Sequence, residues 1–521
     1  MPVKDILFMD SLQNQGTKSY FVFFVSVILC GAIGVWGLID PDTMADVALG
    51  MTGFALKSLD WFFLILCTGF LFLSIYMAFG PYSHIRLGRD DDRPEFSTVS
   101  WLAMLFSAGM GAGLIFWGVA EPVFHYLSPP GMEGKTPEAA RMAMIITNLH
   151  WGLHAWSIYA VCALVIAYFS FRKQTPSLIS SPIQAEFGLK PNGFWCHTAD
   201  IIGVLAVVFG LAGSLTMGVL QVRAGLGEVF GVPATDGVSI VILVLMTTLF
   251  LISASTGLNK GIKILSNINM GIAVAILLLI LFAGPTRFIM EIFITSIGDY
   301  FSNLINMSFK LYPYKDLAGW TSGWTLTYFI WWLAWGPFVG IFIARISRGR
   351  TIREFTLGVV LLPTLFSILW FAAFGGTALY IEMFGGGGLA DLILEDVTSA
   401  LFALFTWFPF SELLSGLALI LIFVFLVTSA DSGTFVVSMM TSHGNLNPST
   451  QFKLIWGIII GVLTAGTLFT GSVTVAKAMA IAGAIPFSLI LILQIIAFVR
   501  TIRREKMACT DASPSLVNVK G

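Results

Sequence analysis

The chemistry in this chain is carried less by ionisable groups than by aromatic rings and glycines. Trp151, Trp156 and Tyr159 recur at a spacing that, at about 100° per residue, keeps them within an arc of about 140° on a helix. A further ring, Trp332, stands in the run Trp331-Trp332-Leu333-Ala334-Trp335-Gly336-Pro337-Phe338. Beyond packing, rings gathered in this way can surround a trimethylammonium group, whose charge is attracted to ring faces without a carboxylate competing for hydrogen bonds. A lone membrane tryptophan is more often an interfacial anchor. Clustering beside an interrupted helix gives the cation-binding reading its weight.

That interruption is written as Ser107-Ala108-Gly109-Met110-Gly111-Ala112-Gly113, where Gly109, Gly111 and Gly113 alternate inside an otherwise apolar run. Glycine lets a helix unwind, and freed backbone groups at membrane depth are tolerated only beside a cavity or a buried polar partner. Close helix contact through small residues is an equally ordinary use of such glycines. Gly336-Pro337 predicts a companion break. Thr428 and Ser429 offer hydroxyl oxygens at membrane depth, although such hydroxyls commonly bond their own helix. His150 and His154 lie one turn apart, and with too few further ligands for a metal they are expected to be packed, hydrogen-bonded rings.

The elements that must position these groups follow from composition. Of 521 residues, 57% are hydrophobic and 11% charged, about half or less of the charge a soluble domain carries, so most of the surface faces lipid. The apolar runs do not alternate as barrel strands would, and the expectation is an all-α polytopic membrane protein. Spans are predicted near 20–39, 60–80, 100–120, 142–169, 199–220, 237–254, 262–283, 324–345, 356–380, 412–440, 452–471 and 477–499, about twelve transmembrane helices in all, the first retained rather than cleaved. Arg86, Arg89 and Arg93, then Arg172 and Lys173, then Lys260 and Lys263, then Arg345, Arg348, Arg350 and Arg353, and finally Arg500, Arg503, Arg504 and Lys506 all follow even-numbered spans. The positive-inside rule therefore predicts cytoplasmic termini. By the same parity helices 3 and 8 run in opposite directions, so helices 3–7 and 8–12 are expected to form inverted repeats with a site at the midplane. The segment 291–317 reads as an interfacial helix or loop, and the tail beyond Thr501 as largely disordered. With 28 Lys+Arg against 29 Asp+Glu there is no basic field for nucleic acid, and the five cysteines show neither disulfide nor zinc spacing. No catalytic cluster or attached soluble domain is visible, which argues against an enzyme or sensor.

Four runs together resemble the betaine/choline/carnitine transporter family: Phe106 to Gly113, His150-Trp151 through Trp156-Ser157-Ile158-Tyr159, Trp331-Trp332 through Ala344-Arg345-Ile346-Ser347-Arg348-Gly349-Arg350, and Val427 to Gly433. The resemblance extends over roughly Tyr20 to Arg500, and the helix 8 run with its arginine loop is its most specific part. It implies a ten-helix inverted-repeat core of the amino-acid transporter type within 99–500, preceded by 1–98 with helices 1 and 2 and followed by a short cytoplasmic tail, 501–521. It also implies alternating access, a homotrimer surrounded by lipid, and a bacterial inner-membrane location. Carried over by position, Trp151, Trp156, Tyr159 and Trp332 match the aromatic box, while Trp331, Trp335 and Phe338 match pathway-lining positions.

For a coupling sodium ion the resemblance implies Ser107, Met110 and Phe425 through backbone carbonyls and Thr428 and Ser429 through side chains, with no other cofactor. The sodium-independent carnitine exchangers of the family carry an arginine where this chain has Met270. Where the family's second ion site uses threonines, this chain has Val207 and Leu211, which leaves the stoichiometry open. The expected function is sodium-coupled import of glycine betaine or a related quaternary ammonium or sulfonium zwitterion. The alternative is sodium-independent exchange or proton coupling of carnitine or choline.

Overall fold

Apolar runs in lipid close their backbone hydrogen bonds internally. In the computed structural model, which describes residues 20–109, 111–256 and 259–512, every extended element is accordingly helical. The helices are α1 Phe21–Ile39, α2 Pro41–Ser58, α3 Asp60–Phe79, α4 Thr98–Gly109, α5 Ala112–Leu127, α6 Pro137–Trp151, α7 Leu153–Ala167, α8 Ser181–Phe187, α9 Phe194–Phe230, α10 Asp236–Thr256, α11 Asn259–Ala283 and α12 Thr286–Ser308. They continue with α13 Ala318–Thr321, α14 Thr327–Ile346, α15 Ile352–Phe384, α16 Leu389–Glu395, α17 Ala400–Phe405, α18 Ser411–Thr441, α19 Thr450–Leu468 and α20 Val473–Ala512. Single π turns follow α7 and precede α14.

Among the described residues, 11 helices are long and apolar enough to cross a membrane. Ten of them answer to expected spans; the eleventh is α12, and the two remaining expectations are the divided pair α4–α5 and the helix α11, whose apolar part is Asn267–Ala283. The chain is a polytopic, all-helical membrane protein.

Several local expectations are corrected. The third span is divided at its glycines, as expected, but its second helix runs on to Leu127, well past the expected end at 120. Gly336-Pro337 makes no break, because α14 is continuous from Thr327 to Ile346. Its small residues serve close packing: a Cβ on Gly336 would lie 2.9 Å from Cys162 Sγ, and one on Gly340 would lie 3.0 Å from Cys162 Cβ. The interruption in this region is instead at Gly152, between α6 and α7, with φ −100° and ψ −134°. There the buried Tyr300 hydroxyl accepts from Leu153 N at 2.9 Å, and a Cβ on Gly152 would lie 2.7 Å from that oxygen.

The helix α2 was not anticipated, since its charges and small residues depress its hydropathy. Its start is nevertheless encoded: Pro41 opens it and Asp40 caps it, accepting from Thr43 N at 3.1 Å and from Thr43 Oγ1 at 2.6 Å. Those two bonds hold the Asp40 carboxyl below its usual range. The expected interfacial segment forms α12, which starts earlier and ends at Ser308. Residues 501–512 are not a loose tail but the end of α20. They are held by Glu505, which accepts from Tyr168 at 2.6 Å and pairs with Arg172 and with Lys173 at 2.7 Å, and by Arg504 on Glu186. Residues 513–521 lie outside the described residues.

The arginine loop after α14 lies against the loop after α3. Leu87 N donates to Arg350 O at 2.8 Å, and Gly349 N donates to Leu87 O at 2.8 Å. Arg350 stacks over Trp101 at 4.0 Å, while Trp101 Nε1 donates to Ser347 Oγ at 2.9 Å. This loop therefore ties α14 to the start of α4 at one end of the bundle.

Candidate functional site

The break between α4 and α5 opens onto a cavity at the centre of the bundle. Gly111 is extended, with φ −100° and ψ 176°, and no side chain caps the first turn of α5. Helix N-termini leave amides without intrahelical partners, and these suit an anionic group. The cavity is lined by Gly111, Ala112 and Gly113, by the rings of Trp151, Tyr159, Tyr328, Trp331, Trp332 and Trp335, and by polar Ser214, Gln221 and Ser429. Among the described residues no acidic or basic side chain lines it.

Three rings form a corner. Trp151 and Trp332 meet edge to face at 5.2 Å, and Tyr159 meets Trp332 at 5.2 Å, also edge to face. Both tryptophans are anchored by their indole N–H groups. Trp332 Nε1 donates to the backbone carbonyl of His150 at 2.8 Å, and Trp151 Nε1 donates to Glu121 Oε2 at 2.6 Å. Gly113 lies close against this arrangement, since a Cβ there would be 3.3 Å from the indole of Trp151. The indole thus lies along α5, between Gly113 at one end and Glu121 at the other. Trp331 and Trp335 both donate to Ser214 Oγ, at 3.3 and 3.2 Å, and Phe338 is buried against Trp335 with ring centroids 5.5 Å apart.

Trp156 does not line the cavity. It is buried behind Tyr159, with ring centroids 5.7 Å apart. A single helical wheel over 151–159 does not apply, because Gly152 divides α6 from α7 and changes the direction in which later side chains point.

The residues expected around sodium are only partly assembled here. Ser107 belongs to α4, as does Gly109 of the expected substrate-binding set, and Met110 lies outside the described residues. Ser429 faces the aromatic cavity, and Phe425 lines a smaller neighbouring one with Gly111, Met270 and Trp370. Thr428 Oγ1 donates to Val424 O at 2.9 Å and to Phe425 O at 3.1 Å, the local bonding common for such hydroxyls. A hydroxyl that donates keeps its oxygen lone pairs for a cation.

The residue that sequence reasoning missed is Glu121. It is fully buried on α5, with Oε1 at 2.6 Å from His150 Nδ1 and 3.3 Å from His125 Nε2, while Oε2 takes the Trp151 bond. His150 Nε2 in turn meets Thr325 Oγ1 at 3.0 Å. The expected neighbour His154 is elsewhere, beside Ser308 Oγ at 3.1 Å. Glu121 fell one residue beyond the expected end of helix 3; its spacing of four to His125 was the available signal.

Nearly the whole chain is similar to known proteins. A profile described as BCCT, betaine/carnitine/choline family transporter, matches residues 21–507. The chain belongs to this transporter family. The glycine betaine transporter OpuD of Bacillus subtilis (strain 168) is 44% identical over 487 residues, covering 93% of this chain and 94% of that protein. An ectoine/hydroxyectoine transporter of Virgibacillus pantothenticus is 41% identical, covering 96% and 99% respectively. The osmo-dependent choline transporter BetT2 of Acinetobacter baylyi is 35% identical, covering 96% of this chain and 74% of its own length. The family is one of transporters, not enzymes.

Proposed function

We propose that this transporter imports glycine betaine, or a close zwitterionic relative such as a sulfonium analogue, by sodium symport with alternating access. The observation that carries the reading is a cavity with an aromatic corner, uncapped helix amides at Gly111–Gly113 and, among the described residues, no charged side chain on its wall. Such a wall suits a solute that brings both charges itself: the rings take a methylated cation and the amides take its carboxylate. The glycine betaine transporter at 44% identity supports the same substrate. The relative that carries ectoine supports a cyclic zwitterion as the second choice.

Sodium coupling is favoured by Met270, where the resemblance places an arginine in sodium-independent exchangers, and by the neutral oxygens of Thr428 and Ser429. Cytoplasmic termini, inverted repeats over helices 3–7 and 8–12, a homotrimer and an inner-membrane location belong to the same proposal. The discriminating experiment is competition for labelled betaine by choline, carnitine and ectoine in proteoliposomes. The proposal requires betaine or ectoine to compete best. Choline competing as well as betaine contradicts it.

A further inference from the structure

Among the described residues no counter-ion stands on the cavity wall, yet a carboxylate lies behind one of its rings. Glu121 is 0% exposed, and its contacts assign its charge by hydrogen-bond accounting. Oε2 accepts from the Trp151 indole at 2.6 Å; Oε1 faces His150 Nδ1 at 2.6 Å and His125 Nε2 at 3.3 Å. His150 Nε2 meets Thr325 Oγ1 at 3.0 Å, and His125 Nδ1 has no hydrogen-bond partner among the described residues. With each imidazole carrying its proton on the nitrogen that faces Glu121, two rings and one indole offer three N–H donors, the set that an ionised carboxylate accepts. The nearby ammonium of Lys477 lies over Trp117 at 4.1 Å and Trp324 at 5.1 Å, so its ring contacts are with these two and not with Trp151.

A carboxylate that accepts from an indole N–H pushes electron density into the ring and makes its face more attractive to a cation, and the low-dielectric surroundings preserve that effect. Placed behind the ring, the charge cannot contact the solute or displace its carboxylate from the helix amides. We infer that Glu121 is the indirect counter-ion of the site: through Trp151 it selects a positively charged head group over a neutral one of the same shape. This rests on the proposed zwitterionic substrate and adds a specificity-determining residue to it.

The test uses Glu121→Gln, which keeps the side chain's length and an acceptor for Trp151 while removing the charge. Two probes are compared by inhibition of labelled uptake: glycine betaine, and 3,3-dimethylbutanoate, in which carbon replaces the quaternary nitrogen. The expected result is about a tenfold loss for betaine with the dimethylbutanoate value within about twofold of wild type. Equal losses for both probes would show that Glu121 only holds the fold of the corner, and would overturn the inference while leaving the substrate proposal intact. A wild type that binds neither probe overturns the substrate proposal and the inference with it. Should Glu121→Gln fail to fold, His125→Gln decides from the other side. It weakens donation to the carboxylate without removing the charge, so wild-type or greater discrimination between the probes is expected, and reduced discrimination overturns the inference.

Discussion

At the scale of single residues, the aromatic corner predicts graded losses. Trp332 contributes a ring face to the cavity and borders both Trp151 and Tyr159. Its replacement by Leu removes one largely desolvated cation–π contact, worth about 2 kcal/mol or roughly thirtyfold in affinity. Calorimetry of betaine binding to the purified variant measures this directly; unchanged affinity would exclude Trp332 from the binding surface. Gly113→Asp is expected to act twice. Its Cβ meets the Trp151 indole, lowering affinity for every solute, and its carboxylate repels that of betaine while attracting choline. The preference between the two should therefore move towards choline by about 1–3 kcal/mol, read from competition assays. At the ion, replacing Thr428 and Ser429 together by Ala should raise the sodium concentration for half-maximal uptake several-fold. Wild-type sodium dependence in that double variant would place the ion elsewhere.

At the scale of elements, the α7–α14 seam is tight because glycine faces cysteine. Gly336→Ala puts a methyl group 2.9 Å from Cys162 Sγ, and overpacking of this kind costs about 1–3 kcal/mol. Thermal unfolding in detergent should show the loss, and adding Cys162→Ala should restore most of it. If the second substitution restores nothing, the contact is not what the glycine serves. The same seam explains why Gly336-Pro337 was misread: from sequence a glycine before a proline marks a break, and only the partner helix reveals that it is an approach. By contrast the break between Gly109 and Ala112 was legible as one of two ordinary uses of alternating glycines. The kink at Gly152 was hidden, since it depends on Tyr300, a residue 147 positions from the Leu153 amide that it receives. Glu121 was obscured by a one-residue boundary, and its partners His150 and Trp151 lie on another helix.

At the scale of the whole molecule, the helical class and ten of the 11 membrane-length helices among the described residues followed from hydropathy because the bilayer leaves few other solutions. What hydropathy does not encode is which helices bend, and the site is built at two such places, Gly111 and Gly152. A net-neutral zwitterion draws nothing from the membrane potential through its own charge, so under the proposed function its accumulation rests on a coupled gradient. The most direct test is uptake of labelled glycine betaine into proteoliposomes under an inward sodium gradient, with an equal potassium gradient as control. Accumulation above equilibrium with sodium, and simple equilibration with potassium, is the predicted result. Equal accumulation in both, or accumulation driven by a proton gradient alone, would contradict sodium-coupled import of a zwitterion.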